Sequence, residues 1–236
     1  MASVPGVIAK PSLPEGLTGT RTPNGIDPLQ HARMAAMMGC EPGLLAWDRR
    51  TDAIATALVV APDVPLQEAV TCAFALAVGF ADALTEIGPA ELTVHHAWPA
   101  SLRVNGKACG RLRATASAKN ADEVPDWLVV AIDVPVEPGG MGAADHTCLH
   151  AEGCSGIATM QLVDTWAAHT QHWLRSWQEN GAGPLLHAWT ARAWQMGEPL
   201  PDGSGTFLGL DAQGGMQVDS EGSISVRPLT DMLGTG

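Results

Sequence analysis

The sequence predicts an α+β fold: a mixed or antiparallel sheet packed with helices, followed by a small all-β SH3-like barrel. Three observations carry this. Residues 127–134 form an unbroken apolar run with β-branched side chains, as a strand buried on both faces requires. Residues 65–88 and 157–179 place apolar side chains three and four positions apart, as long helices do. After Gly181-Ala182-Gly183-Pro184 the helical pattern gives way to short β-like runs separated by Gly and Asp. A first unit at 1–183 and a second at 184–236 follow from that break.

In chain order, residues 1–28 are rich in Pro, Gly and Thr and read as an extended surface arm. Residues 27–38 are helical, with Pro28 tolerated in the first turn and Gly39 able to end it. Residues 43–47 and 54–60 read as strands flanking the polar Asp48-Arg49-Arg50-Thr51-Asp52. Pro65 and Glu68 suit the start of a helix that runs to about Gly88. Its surface is apolar nearly all round, so burial on most sides is expected. Residues 92–96, 102–104 and 107–115 follow as strands. Asn105-Gly106 is a strong hairpin signal because both residues tolerate positive φ. Residues 137–145 form a Gly-rich loop. Residues 206–210, 216–218 and 224–226 supply the small β unit.

Net charge is −12, which argues against a broad basic face for nucleic acid or anionic lipid. The most apolar stretch, 70–84, is shorter than the roughly 20 residues of a bilayer span, so a core helix is expected and no membrane partner. Five cysteines, an odd number without a Cys-x-x-Cys pair, fit reduced thiols in the cytoplasm. No secretory signal is expected where prolines recur at 5, 11, 14, 23 and 28.

Candidate chemistry concentrates after Asn105-Gly106. Strict alternation would put Lys107, Cys109, Arg111 and Arg113 on one strand face. Such a row can hold a phosphate or carboxylate; the bland alternative is a solvated outer face of an antiparallel sheet. Gly110 weakens a strand unless something needs close backbone approach. His146, Cys148, His150 and Cys154 alternate too closely for the usual structural zinc spacings, so no metal site is expected. A Cys–His nucleophile pair in that run lacks an orienting third group. His95-His96 reads as packed or solvated, and the eight tryptophans as core.

Trp98-Pro99, then Leu102-Arg103-Val104-Asn105-Gly106-Lys107 and Gly110, resemble the Trp-Pro strand, Asn-Gly turn and Lys-x-x-Gly of the biotin–protein ligases, within the biotin/lipoate ligase superfamily. The buried run ending Ile132-Asp133-Val134 resembles the family strand that usually ends Ile-Asn-Val. Thr147, Leu149 and Glu152-Gly153 resemble its Thr-Ser-Leu…Glu-Gly stretch. Gly209-Leu210-Asp211 with Gly214 and Met216 resembles its small C-terminal barrel.

The resemblance implies a ligase that activates biotin, lipoate or a related acid with ATP and magnesium. The acyl group then passes from an adenylate to a lysine of a carrier protein. Lys107 matches the family's catalytic lysine. Trp98, Asn105, Gly110, Arg111, Arg113, Arg49 and Arg50 are the candidate substrate contacts. The chain departs from the pattern in three places. Asp48-Arg49-Arg50 stands where the family has a Gly-Arg-Gly-Arg loop, Ala100-Ser101 replaces Asn-Asp after Trp-Pro, and Ala97 replaces the basic residue before it. Two readings of Arg111 stay open: with Arg113, Arg49 or Arg50 it substitutes for the missing positive charge, or it is a drifted position in an inactive site. Two alternatives stay open: a non-catalytic module that binds a small carboxylic acid or a carrier domain, and a scaffold that keeps only the fold.

Overall fold

A computed structural model of the chain describes residues 10–48, 50, 52–139 and 145–234. Its centre is a seven-stranded sheet, built from β1 (Thr18–Arg21), β2 (Leu44–Trp47), β3 (Ala53–Val60), β4 (Val94–Ala97), β5 (Ser101–Val104), β6 (Lys107–Ala116) and β7 (Leu128–Pro135). The order across the sheet is β1-β2-β3-β7-β6-β5-β4. Every neighbouring pair is antiparallel except β1–β2. β1 lies within the stretch expected as a surface arm; it pairs in parallel with β2 instead of lying free. The continuous apolar run near 127–134 is β7, the central strand, buried along most of its length. Asn105 and Gly106 take φ of 50° and 80° and join β5 to β6 in a two-residue turn, as the dipeptide demands.

Helices cover both faces. On one side, α2 (Leu66–Ala69), a 3-10 turn (Val70–Cys72) and α3 (Ala73–Ile87) run on continuously. They pack with α4 (Thr159–Asn180) and α5 (Gly183–Thr190) against the sheet. Leu66–Ile87 spans 22 residues and is long and apolar enough by composition to cross a membrane, which the shorter 70–84 reading missed; 78% of its apolar window is buried in the fold. Tryptophans of α4 and α5 close over it. The Trp166 indole donates to the Leu76 carbonyl at 3.0 Å, the Trp177 indole to Thr71 Oγ1 at 2.9 Å, and Trp189 stacks on Phe74 with centroids 4.8 Å apart. The Trp166 and Trp177 rings bury their area while each N–H finds an acceptor. Gly79 lets α3 and α4 touch: a Cβ there would lie 2.6 Å from Thr170 Oγ1 and 2.8 Å from the Thr170 backbone nitrogen.

The C-terminal strands β8 (Thr206–Leu210), β9 (Met216–Ser220) and β10 (Ser223–Arg227) form a three-stranded antiparallel sheet. Phe207, Met216 and Val218 join the same apolar cluster as α3 and α5.

The opposite sheet face carries α1 (Pro28–Met37). Ala32 and Ala36 pack on Ala46, Ala57, Val59, Val129 and Ala131, a small-residue contact that lets the helix sit close. Asp27 caps α1, its Oδ1 accepting from Leu29 N. The same carboxylate takes a two-pronged contact from Arg113, at 2.5 and 2.8 Å, while Arg113 Nε donates to Asp133 Oδ2 at 2.6 Å. One guanidinium thus ties the start of α1 to β6 and β7.

Two stability predictions follow from these contacts. Gly79→Val should lower stability by about 2 kcal/mol through overpacking, read as a lower urea midpoint; an unchanged midpoint would contradict the close α3–α4 approach. Arg113→Leu leaves two carboxylates facing each other and should cost about 1–3 kcal/mol at neutral pH. Arg113 holds the Asp27 carboxyl below its ordinary 3.8 in the folded protein. Its contribution is therefore complete above that value and is lost as pH falls through the lower folded-state value. The gap between wild type and Arg113→Leu should shrink in urea titrations at about pH 3; a gap of constant size would show that the Asp27 pairing is not its source.

Candidate functional site

α1 covers the row Ala57–Ala131 but stops short of the next row, where Ala55 and Arg111 both stand opposite Asp133. Beyond the helix N-terminus the sheet face is therefore open. A cavity of about 950 Å³ lies there, bordered by Lys107, Gly110, Arg111, Asp133 and the 146–148 segment. A second cavity of about 770 Å³ continues beside the Asp27 end of α1. The two share Arg50, Ala55, Arg111 and Asp133.

The alternation expected along β6 fails at one place, and the failure makes the site. β5 and β6 pair Arg103 with Ala108 and then Ser101 with Arg111, so β6 spends one more residue than β5 between the two pairs. Gly110 occupies this bulge at φ +131°. A Cβ there would meet the Asp133 carbonyl at 2.7 Å and Val134 Cγ2 at 3.0 Å, so glycine alone fits. The extra residue reverses the side-chain parity. Cys109, expected beside the arginines, faces the core at 0% exposure with Leu112 and Ala114, while Arg111 and Arg113 face the cleft.

Lys107 stands at the cavity rim, its side chain half exposed and its ammonium 3.5 Å from Glu152 Oε1. Glu152 is a nearly buried carboxylate at a kinked helical turn, His150–Cys154. Thr147 Oγ1 donates to its Oε1 at 2.6 Å and Asn105 Nδ2 to its Oε2 at 2.8 Å. The Thr147 and Asn105 hydrogen bonds hold its carboxyl below the usual glutamate range. Asn105 thus braces the hairpin turn against Glu152, its Oδ1 also accepting from Thr93 N at 3.1 Å, and it does not border the cavity.

The other expected contacts spread over the cleft and beyond it. Arg50 borders both cavities with its guanidinium on Asp52 at 3.0 Å. Arg113 borders the second cavity, fully engaged by Asp27 and Asp133. Arg111 borders both and has no carboxylate within 4.0 Å among the described residues. Arg49 lies outside the described residues, as does part of the Gly-rich loop. Trp98 borders a separate cavity of about 400 Å³ next to the C-terminal sheet, and its indole donates to the Gly214 carbonyl at 2.9 Å. Ser101 borders both that cavity and the one of about 950 Å³.

Among the described residues no group of three or more His, Cys, Asp or Glu side chains is placed to hold a metal ion. His146 and Cys148 border the cavity, whereas Cys154 is in the core. His96 is buried, and burial pushes its imidazole down to about 4, so it is a neutral core residue. Sequence reasoning did not foresee three members of the site: Asp27, Asp133 and Glu152. The Asp-Pro pair signalled a helix start, but the partner of Asp27 lies 86 residues away. Only the sheet register brings Asp133 beside Arg111.

The profile of the Biotin/lipoate A/B protein ligase family matches residues 13–191. A biotin--[acetyl-CoA-carboxylase] ligase of Paracoccus denitrificans is 25% identical over 199 residues, 79% of this chain and 82% of that one. The crystal structure of a biotin protein ligase-like protein of unknown function from Silicibacter sp. TM1040 is 39% identical. It superposes with a TM-score of 0.91 over 96% of this chain and 100% of that chain. A biotin protein ligase from Aquifex aeolicus in complex with biotin and ATP has the same fold, with a TM-score of 0.66 at 15% identity over 89% of this chain and 93% of that one. With three quarters of its length matched by the family profile, this chain belongs to the biotin/lipoate A/B protein ligase family.

Proposed function

We propose that the chain uses ATP to activate biotin, lipoate or a related carboxylic acid and transfers the acyl group to a lysine of a carrier protein. The observation that carries this reading is the cleft itself: Lys107 at its rim opens a strand whose bulged Gly110 borders the same cavity. Forming an acyl-adenylate builds negative charge around the α-phosphate, and a positioned ammonium favours that charge more than it favours the ground state. Lys107 suits the task because its tie to Glu152 is long, at 3.5 Å, and its side chain is half exposed. The ammonium can leave Glu152 for a phosphate without breaking a tight pair.

Two relatives support the choice of substrates: one is named a ligase of biotin to acetyl-CoA carboxylase, and another holds biotin and ATP together. Magnesium, in this reading, arrives on the ATP phosphates, since the cleft offers no ready-made metal cage among the described residues. The C-terminal three-stranded sheet is read as the core of an SH3-like barrel. The five cysteines, all unbridged, fit action in the cytoplasm.

The test is isotope exchange between ATP and pyrophosphate in the presence of biotin, lipoate or octanoate. Exchange dependent on one of these acids is expected. Lys107→Ala should lower it about a hundredfold or more with the unfolding midpoint little changed, because the contact it breaks is long and Glu152 keeps its hydrogen bonds from Thr147 and Asn105. Wild-type protein that gives no exchange with any of the three acids would remove the ligase reading.

A further inference from the structure

Three described arginines border the cleft, and they are not equivalent. Arg113 is saturated by Asp27 and Asp133, and Arg50 is closed on Asp52 through two parallel hydrogen bonds. An arginine already paired to carboxylates has little left to give an incoming anion, which must then displace the partner. Arg111 is different. Its cross-strand neighbour Asp133 has turned a carboxylate oxygen to Arg113, and the Arg111 guanidinium, which feels the Asp27 charge only at a distance, carries no ion pair or hydrogen bond among the described residues.

Its position is also particular. The two cavities meet along the row of Ala55, Asp133 and Arg111, so Arg111 stands at the waist of one two-lobed cleft. It is there because of the bulge. Counted from the core-facing Cys109, unbroken alternation would send Arg111 into the apolar core; the additional residue at Gly110 turns it outward. Two lobes of about 950 and 770 Å³ joined at a free guanidinium suit a ligand made of two bulky parts linked through an anionic group.

We propose that Arg111 is the anion anchor of this protein: at the waist of the cleft it receives the phosphate of a nucleotide, with the acid in one lobe and the nucleoside in the other. This rests on the ligase reading for the identity of the two parts, and on the geometry alone for the anchor. The oxyanion at the waist has two sources, a nucleotide phosphate or the carboxylate of a free acid, and the measurement separates them.

Titration calorimetry with AMP, and separately with biotin and with octanoate, on wild type, Arg111→Leu, Arg111→Lys and Arg175→Leu is the test. Arg175→Leu removes the same charge from α4, on the other side of the sheet, where Arg175 donates to the Glu15 carbonyl. AMP affinity should fall about tenfold to a hundredfold in Arg111→Leu and partly recover in Arg111→Lys, while Arg175→Leu stays within about threefold of wild type. Unchanged AMP affinity in Arg111→Leu, an equal loss in Arg175→Leu, or wild type that does not bind AMP would each overturn the anchor. So would a loss confined to biotin or octanoate, because the waist would then hold the acid. Arg111-dependent AMP binding without acid-dependent pyrophosphate exchange would remove the ligase reading and leave the anchor standing. Exchange that persists undiminished in Arg111→Leu would do the reverse.

Discussion

The site depends on how β6 is laid against its neighbours. A strand offers its side chains alternately to two faces, and along this part of β6 one face is an apolar core and the other, beyond the end of α1, a cleft. A basic residue on the wrong face would have to be buried unpaired, at a cost no local contact could recover. The single additional residue at Gly110 solves this for Arg111 and Arg113 together, and only glycine can take the backbone there, with the Asp133 carbonyl so close. Sequence, register and electrostatics meet at that one position.

The rest of the cleft is arranged around the same strand. α1 can press close to the sheet because alanines line the contact, and its capped end stops where Arg113 reaches Asp27. The hairpin turn that begins β6 is held by Asn105 against Glu152, which in turn stands beside Lys107. The cations of the site are therefore held at three levels of commitment. Arg113 is fixed as a structural clasp, Lys107 is loosely tied, and the Arg111 guanidinium makes no ion pair or hydrogen bond among the described residues. Such a gradation divides the work of holding the fold from the work of meeting a ligand.

Much of this was legible in the amino-acid order. The two-residue turn at Asn105-Gly106, the buried run that became β7, and the all-round apolar helix after Pro65 each follow from local rules, and each forms as those rules require. The candidate basic residues were also found, because few cations stand in an acidic chain. Which way they point was not. Reading Cys109 and Arg111 as face-mates assumed an unbroken pleat, and a bulge shows only weakly in sequence, here as the glycine that sits in it. The part that Asp27, Asp133 and Glu152 play in the site was not foreseen, for a related reason. Their pairings with Arg113 and Asn105 span 20 to 86 residues, which no local pattern encodes.

The long apolar helix has a cost that falls before the protein is finished. α3 is covered by α4 and α5, yet α4 begins roughly 70 residues after α3 ends. A ribosome adding about 5–20 residues per second leaves that gap open for several seconds. For that interval the nascent chain displays a segment with the length and greasiness of a bilayer span, without the two helices that cover its outer side. Newly made chains are thus most exposed to aggregation, or to capture by chaperones and insertion machinery, between the emergence of these two helices.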